Sequence, residues 1–380
     1  MSAAGPRPRV LYYAHDHGAG HVRHAARAAG TGAFDLTVAT SARGAAGVLP
    51  PGTSLEMLPR DVVPGYRQPP GSHLHYTPTG PVIRDRFAAL LAAARRARAE
   101  VVVVDVSVET ALFLRLAGYP VIHRRMHGDR TDPAHGLVYT EADHLIAHYG
   151  AALEDSAWRA RYGTKTTFLG APDVTGRLGQ RAAPRAGTRV SAPEIAVVTG
   201  TGGGGLRWTD LVRAARQVPA ARWHVYGPVR GAAEGAGGPS GAPVPPNLVL
   251  HGWTEDVAGR MRAADVVIVS AGYSAVADAT CSGRPVVLVP EPRPFAEQER
   301  FTAAAHAATG VPWCRWTDVA ADWAGAVDTA LRDPASADRL AAAVLTEPGE
   351  YRRRWEAAVE AAVEVAGEAA MGPAVEAAEE

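Results

Sequence analysis

Short valine-rich apolar runs recur along this chain, each followed by a turn and a helix-like stretch, and the series occurs twice. Alternation of this kind specifies parallel strands joined by crossover helices, because a strand covered on both faces is a near-continuous apolar run. In the first series the predicted strands are Val10–Tyr13, Leu36–Ala39, Val101–Val104 and Val121–His123. Phe87–Ala99, rich in Ala, Arg and Leu and free of Gly and Pro, is predicted as a helix leading into the third of these. From about Pro172 to Pro193, Gly, Pro and Arg replace the apolar periodicity, as in an interdomain linker. The alternation restarts at Ile195–Val198 and runs through Trp223–Tyr226, Leu248–Leu250, Val266–Val269 and Val286–Val289. Gly231–Pro246 is predicted to be a mobile loop, and Tyr351–Ala366 one long helix.

A chain of 380 residues exceeds the roughly 250–300 that one core supports. The expected architecture is therefore α/β: two Rossmann-like domains at residues 1–172 and 195–345, facing across a cleft. A linker at 173–194 joins them, and a C-terminal helix and tail follow at 346–380. Ligands of such sheets bind outside the carboxyl ends of the strands, which places the site between the halves.

Composition removes several function classes. Net charge is zero, so the basic footprint of a nucleic-acid binder is missing. Cys281 and Cys314 are too few for a disulfide framework or a zinc cluster. The sole lysine, Lys165, follows no Gly-rich loop, which excludes a Walker-type phosphate loop. No apolar run approaches the ~18 residues that cross a bilayer, and the N-terminus lacks the apolar core of a signal peptide. A cytoplasmic location is the expectation.

Four segments carry candidate chemistry. His15-Asp16-His17-Gly18-Ala19-Gly20-His21 follows the first strand and opens a helix, so its glycines bring backbone N–H groups toward a ligand. It also fits a plain tight turn with a capping histidine. His15, Asp16, His17, His21 and His24 cluster there, but no further Cys or carboxylate pattern joins them, and no metal site is expected. Thr199-Gly200-Thr201-Gly202-Gly203-Gly204-Gly205 lies between strand and helix, where exposed N–H groups and the helix dipole suit a diphosphate. Ser270-Ala271-Gly272-Tyr273-Ser274 forms a third such turn, with Asp278 about one helical turn on. That carboxylate can serve ribose hydroxyls or simply the helix dipole. Pro290-Glu291-Pro292-Arg293-Pro294-Phe295-Ala296-Glu297-Gln298 brings a Glu-Gln pair to the cleft mouth, to bind sugar hydroxyls or to start a solvated helix.

Taken together, TGTGGGG, HGWTED and ADVVIVSAGYSAVADATCSGRPVVLVPEPRPFAEQ resemble the donor domain of glycosyltransferase family 28, the family of the peptidoglycan lipid-intermediate N-acetylglucosaminyltransferases. DHGAGHVRH resembles the corresponding segment of bacterial predicted glycosyltransferases of the same superfamily. The resemblance runs from about Val10 to Gly310 and implies the GT-B fold. It further implies that Thr201, Gly202 and Gly203 receive the donor diphosphate, with Trp253 and Thr254 on the base. Gly272, Tyr273 and Ser274 would meet the phosphates, Asp278 the ribose, and Glu297 and Gln298 the sugar. Gly18, Gly20, His123 and Arg124 fall on the acceptor side, where His123-Arg124 resembles the start of a family loop. The family's arginine after the boundary strand has no match in Gly170-Ala171-Pro172-Asp173, and Arg207 is the substitute considered.

The implied reaction is an inverting transfer, without cofactor or metal, since no DxD-type motif is present. The co-substrate would be a nucleotide-diphosphate sugar, UDP-N-acetylglucosamine or UDP-glucose foremost, and the acceptor a small molecule or a lipid-linked cell-envelope intermediate. His21 is the candidate base, imidazole being the side chain that ordinarily titrates near neutral pH, with Asp16 in reserve. Three rivals stand beside this reading. They are a nucleotide-sugar 2-epimerase on the same fold, a Rossmann oxidoreductase, and a catalytically silent binding protein. No GxGxxG with a distal acidic residue follows Val10–Tyr13, which counts against the oxidoreductase.

Overall fold

The computed structural model describes residues 7–16, 20–183, 192–200, 205–232 and 244–370, with backbone alone at 368–370. Its first half is a seven-stranded parallel sheet in the order β3-β2-β1-β4-β5-β6-β7. The strands are β1 (Arg9–Tyr13), β2 (Asp35–Thr40), β3 (Ser54–Met57), β4 (Val101–Val104), β5 (Val121–Arg125), β6 (His144–Ala147) and β7 (Thr166–Phe168). The helices between them are α1 (Gly20–Ala29), α2 (Pro81–Arg96), α3 (Val108–Leu116), α4 (Pro133–Glu141) and α5 (Ser156–Tyr162).

The chain crosses to the second half through β8 (Ala171–Pro172), and the elements there are β9 (Glu194–Val198), β10 (Leu206–Arg207), α6 (Trp208–Gln217), β11 (Arg222–Tyr226), β12 (Val229–Arg230) and β13 (Leu248–Gly252). They continue as α7 (Val257–Ala263), β14 (Val266–Ser270), α8 (Tyr273–Cys281), β15 (Val286–Val289), α9 (Glu297–Thr309), α10 (Trp323–Arg332), α11 (Ala335–Val344), β16 (Leu345–Thr346) and α12 (Pro348–Ala370). The main sheet of this half has five strands in the order β13-β11-β9-β14-β15.

Period-two alternation sorts each strand between two helical layers. Val10 and Tyr12 face a core shared with α1 and α12, while Leu11 and Tyr13 face α2, α3 and α4. In the second sheet Ile195, Val266 and Ile268 pack against α6 and α10, and Val267, Val269 and Leu288 against α8, α9 and α11. Strand order reverses beside β1 in one sheet and beside β9 in the other, so β1 and β4 end side by side, as do β9 and β14. These two switch points are where the Gly-rich turns emerge.

The strands predicted from sequence are found, with β5 extending two residues further to Arg125. Three strands of the first sheet, β3, β6 and β7, escaped because their sequences SLEM, HLIA and TTF are short and carry polar residues, as did the two-residue strands β8, β10, β12 and β16. The segment at 173–183 is not loose. Asp173 accepts N–H bonds from Thr175, Arg177 and Leu178, and buried Arg177 pairs with Asp338 of α11. Residues 184–191, and residues 233–243 of the predicted mobile loop, lie outside those described.

The C-terminal helix crosses back to the first half. β16 pairs with β8, so the outgoing and returning crossings lie against each other. α12 then buries Tyr351, Trp355, Ala358, Val359 and Ala362 on the first sheet's core, with Trp355 meeting Phe34 edge-on at 5.7 Å. Truncating this fully buried indole as Trp355→Ala is expected to cost roughly 3–5 kcal/mol in urea denaturation.

Burial also sets a pH dependence. His123, His127, His135 and His144 are each at most 7% exposed. Burial pushes them below their ordinary 6.5, to about 3, 4, 4 and 4 in that order. The unfolded chain takes up protons at these sites first, so their contribution is whole above pH 6.5 and declines as pH falls toward 4. Each histidine removes roughly 1.4 kcal/mol per pH unit in that window. A urea midpoint at pH 5 no lower than at pH 7.5 would contradict this.

Candidate functional site

The site is centred on a carboxylate that directly follows β4. Asp105 is fully buried, yet it is not neutralised by losing its charge. Its Oδ1 accepts from Arg124 Nη1 at 2.7 Å, Oδ2 lies 3.0 Å from His21 Nδ1, and Tyr12 donates its hydroxyl to Oδ2 at 3.4 Å. Burial alone would push this carboxyl up; Arg124 and His21 more than reverse that and hold it well below the usual carboxylate range. Switch-point geometry explains the meeting, because His21 opens the helix after β1 and Asp105 directly follows the strand beside it. Val106, next in sequence, adopts φ 74°. A β-branched residue in that left-handed region is strained by about 1–3 kcal/mol, as backbones at functional turns often are.

A neutral His21 that donates Nδ1–H to Asp105 keeps Nε2 as the nitrogen that takes a proton. Asp16 sits apart, accepting from Ser41 Oγ at 3.0 Å with Arg60 3.7 Å away. Glu297 is brought to the same place from the other half: Arg130 lies 3.6 Å from its carboxylate. Burial pushes its carboxyl up against the pull of Arg124, Arg130 and His21.

Facing this constellation is the start of α8. Gly272 is its N-cap and Ser274 has a buried hydroxyl with no partner among the described residues. A helix start with unpaired N–H groups and an unpaired hydroxyl suits an anion. Gly20 begins α1 on the opposite side, with open space where a Cβ would project.

Several predicted roles need correction. His123 and Arg124 start no loop; both lie within β5 and are 1% and 3% exposed. His123 faces the ring of Tyr139 and has no surface to offer an acceptor, while Arg124 serves Asp105. The Tyr273 side chain is committed to the contact between the halves. Its buried hydroxyl accepts the His127 backbone N–H at 2.7 Å across the two halves, and its ring lies under Arg124. Gln298 is 3% exposed, and its Oε1 accepts from Ser270 Oγ and the Glu291 N–H, fastening the turns after β14 and β15. Asp278 is met at 3.1 Å and 3.5 Å by Arg27 and Arg23 of α1.

Arg207 is exposed at the start of α6, Trp253 is 69% exposed, and the Thr254 hydroxyl accepts the Asp256 N–H. Gly18, Thr201, Gly202 and Gly203 lie outside the described residues. Of the sites sequence reasoning missed, Asp105 had a readable signal: a carboxylate immediately after VVVV, at the carboxyl end of a buried strand. Arg23, Arg27 and His127 had none, since their partners lie in the other half.

Away from this centre, His75, Asp132 and His135 bring ligand-type atoms within 4.8 Å of one another. Arg130 Nη1 lies 2.8 Å from His135 Nε2, and a guanidinium only donates, so that nitrogen accepts and Nδ1–H goes to Asp132 at 2.6 Å. A metal would have to displace Arg130 or strip that proton beside a positive charge. The cluster is a hydrogen-bonded triad.

No protein-family model and no curated protein matches the chain. Solved structures similar to it include the spinosyn forosaminyltransferase SpnP, at TM-score 0.61 and 15% identity over 93% of this chain and 100% of that one. The spinosyn rhamnosyltransferase SpnG complexed with thymidine diphosphate is similar at 0.60 and 16%, over 92% and 100%. MurG of Acinetobacter baumannii is similar at 0.56 and 13%, over 92% and 99%. The likeness extends over nearly the whole of both chains and shows a GT-B fold, two Rossmann-like domains across a cleft.

Arg124→Met would strand the buried Asp105 carboxylate, and urea denaturation should show a loss of roughly 3–5 kcal/mol. Adding Asp105→Asn should recover part of it, a coupling that two independent sites would not show.

Proposed function

We propose that the chain is a glycosyltransferase, moving a sugar from a nucleoside-diphosphate donor to a hydroxyl of a small-molecule or cell-envelope acceptor. The observation that carries this is the pair of buried Asp105 with partly exposed His21, facing the N-terminus of α8 across the cleft. A base and a helix start with unpaired donors are the two things such a transfer requires. The GT-B fold, shared with the forosaminyltransferase SpnP and with the rhamnosyltransferase SpnG, which is complexed with thymidine diphosphate, supports the reading.

In this mechanism the acceptor hydroxyl passes its proton to His21 Nε2 while its oxygen attacks the anomeric carbon. The bond from that carbon to the diphosphate oxygen breaks, configuration inverts, and the nucleoside diphosphate leaves. Asp105 stabilises the imidazolium that forms, and Arg124 keeps Asp105 ionised throughout. The departing charge is met by backbone N–H groups at Gly272–Ser274 and by the Ser274 hydroxyl. The reading needs no cofactor, and it needs no metal because these fixed donors stand where a cation would act. A donor ribose would compete with Arg23 and Arg27 for Asp278, and the Glu297 carboxylate would accept from sugar hydroxyls. No helix among the described residues is long and apolar enough to cross a membrane.

Thermal stabilisation by UDP, dTDP, GDP, NAD and FAD tests the donor side. One nucleoside diphosphate at a hundredfold excess over Kd should add about 2.7 kcal/mol, less for Ser274→Ala and Asp278→Ala. Stabilisation by NAD or FAD alone would sink the proposal. With the donor so identified, Asp105→Asn and His21→Ala should each lower kcat roughly 10²–10⁴-fold while donor binding persists. Normal turnover by His21→Ala, with loss in Asp16→Ala, would move the base to Asp16.

A further inference from the structure

A second cavity lies on the flank of α9, bordered by Pro290 and Ala296 of the loop that leads into that helix. Pro312–Cys314 runs alongside β15, with the Leu288 N–H donating to Pro312 and the Cys314 N–H to Leu288. This places Trp313 at the sheet edge beside a cavity of about 430 Å³, whose lining includes Glu299, Arg300, Thr302, Trp313 and Arg315. Glu299 is two residues beyond Glu297, about 200° around the helix, so it turns away from the donor side. Thr302, three residues on from Glu299, shares its face.

Three features of this cavity point to a ligand. Glu299 Oε2 and Thr302 Oγ1 are both buried without a hydrogen-bond partner among the described residues, and Thr302 is only 2% exposed. Unpartnered buried oxygens are destabilising unless something supplies a partner. Trp313 is 38% exposed and lines the cavity, with the Arg315 guanidinium over one face of its ring, 5.3 Å from the centre.

The charges select the ligand's chemistry. A carboxylate in the wall disfavours an anion, and two guanidiniums disfavour a cation. What remains is a neutral ring with a flat apolar face for the indole. It must donate to Glu299, which only accepts, and accept from Arg300 or Arg315, which only donate. Hydroxyls do both. We propose that this cavity is a carbohydrate subsite that takes a neutral pyranose ring, separate from the site of transfer. Arg300 also pairs with Asp129 of the first half at 2.7 Å, so the bound ring would lie at the rim where the two halves meet.

Saturation-transfer NMR on the full chain tests this with methyl β-D-glucopyranoside and methyl N-acetyl-β-D-glucosaminide, using uridine as the comparison ring. Transfer to the pyranose ring protons is expected from the unaltered protein, with apparent affinity at least tenfold weaker in Trp313→Ala and in Glu299→Gln. Both variants should keep the parent's melting temperature and its stabilisation by nucleoside diphosphate, which separates this site from the donor site. Absence of transfer to either sugar overturns the proposal, as does equal transfer in the folded variants or transfer to uridine alone. If Trp313→Ala fails to fold, Glu299→Gln decides by the same criterion.

Discussion

The buried ion pair of Asp105 with Arg124 is the constraint on which the rest of the site depends. A carboxylate with no exposure persists in charged form only because a guanidinium reaches it at 2.7 Å and an imidazole at 3.0 Å. Such a pair is weak evidence for stability, since taking two charges out of water offsets most of their attraction. Its value here is orientation. The carboxylate fixes which nitrogen of His21 carries the proton, and the strained Val106 backbone shows that the fold accepts a local cost to hold it there.

From that pair the contacts lead across to the second half. Arg124 lies over the ring of Tyr273, whose hydroxyl accepts the His127 N–H, and Tyr273 is the first residue of α8. Arg27 and Arg23 of α1 reach Asp278 on the same helix. The loop before α9 is clasped too: Asp129 N–H donates to Phe295 O at 2.7 Å, and Gly128 at φ 121° leaves no room for a Cβ against that oxygen. Phe295 itself is left-handed at φ 59°, with Arg130 4.8 Å from its ring centre. His21 and the start of α8 are thus positioned by one set of interdomain contacts, so domain arrangement and site geometry are a single variable.

Much of the fold was legible. β4, β14 and β15 are uninterrupted Val/Ile/Leu runs, buried on both faces, and such runs announce themselves. The long helix α12 was legible in extent, from its unbroken Ala/Glu/Val pattern, but its return to the first sheet was not. Polar residues were the other source of error. His123-Arg124 resembles the start of an acceptor-side loop, yet β5 runs on through both and buries them, since Asp105 supplies the charge that Arg124 needs and desolvation keeps His123 neutral. Gln298 looked like a sugar reader and instead braces the turns at Ser270 and Glu291.

The sequence by itself determined the two parallel-sheet series, the Gly-rich turns at their switch points and His21 at the head of a helix. These follow from local causes: apolar periodicity, the conformational freedom of glycine, and chain order. Only the tertiary structure decided that Asp105 and not Asp16 meets His21, that Asp278 faces two arginines, and that Tyr273 joins the halves. Those pairings link residues 84 to 255 positions apart, where no local pattern carries information and only packing sets the distance.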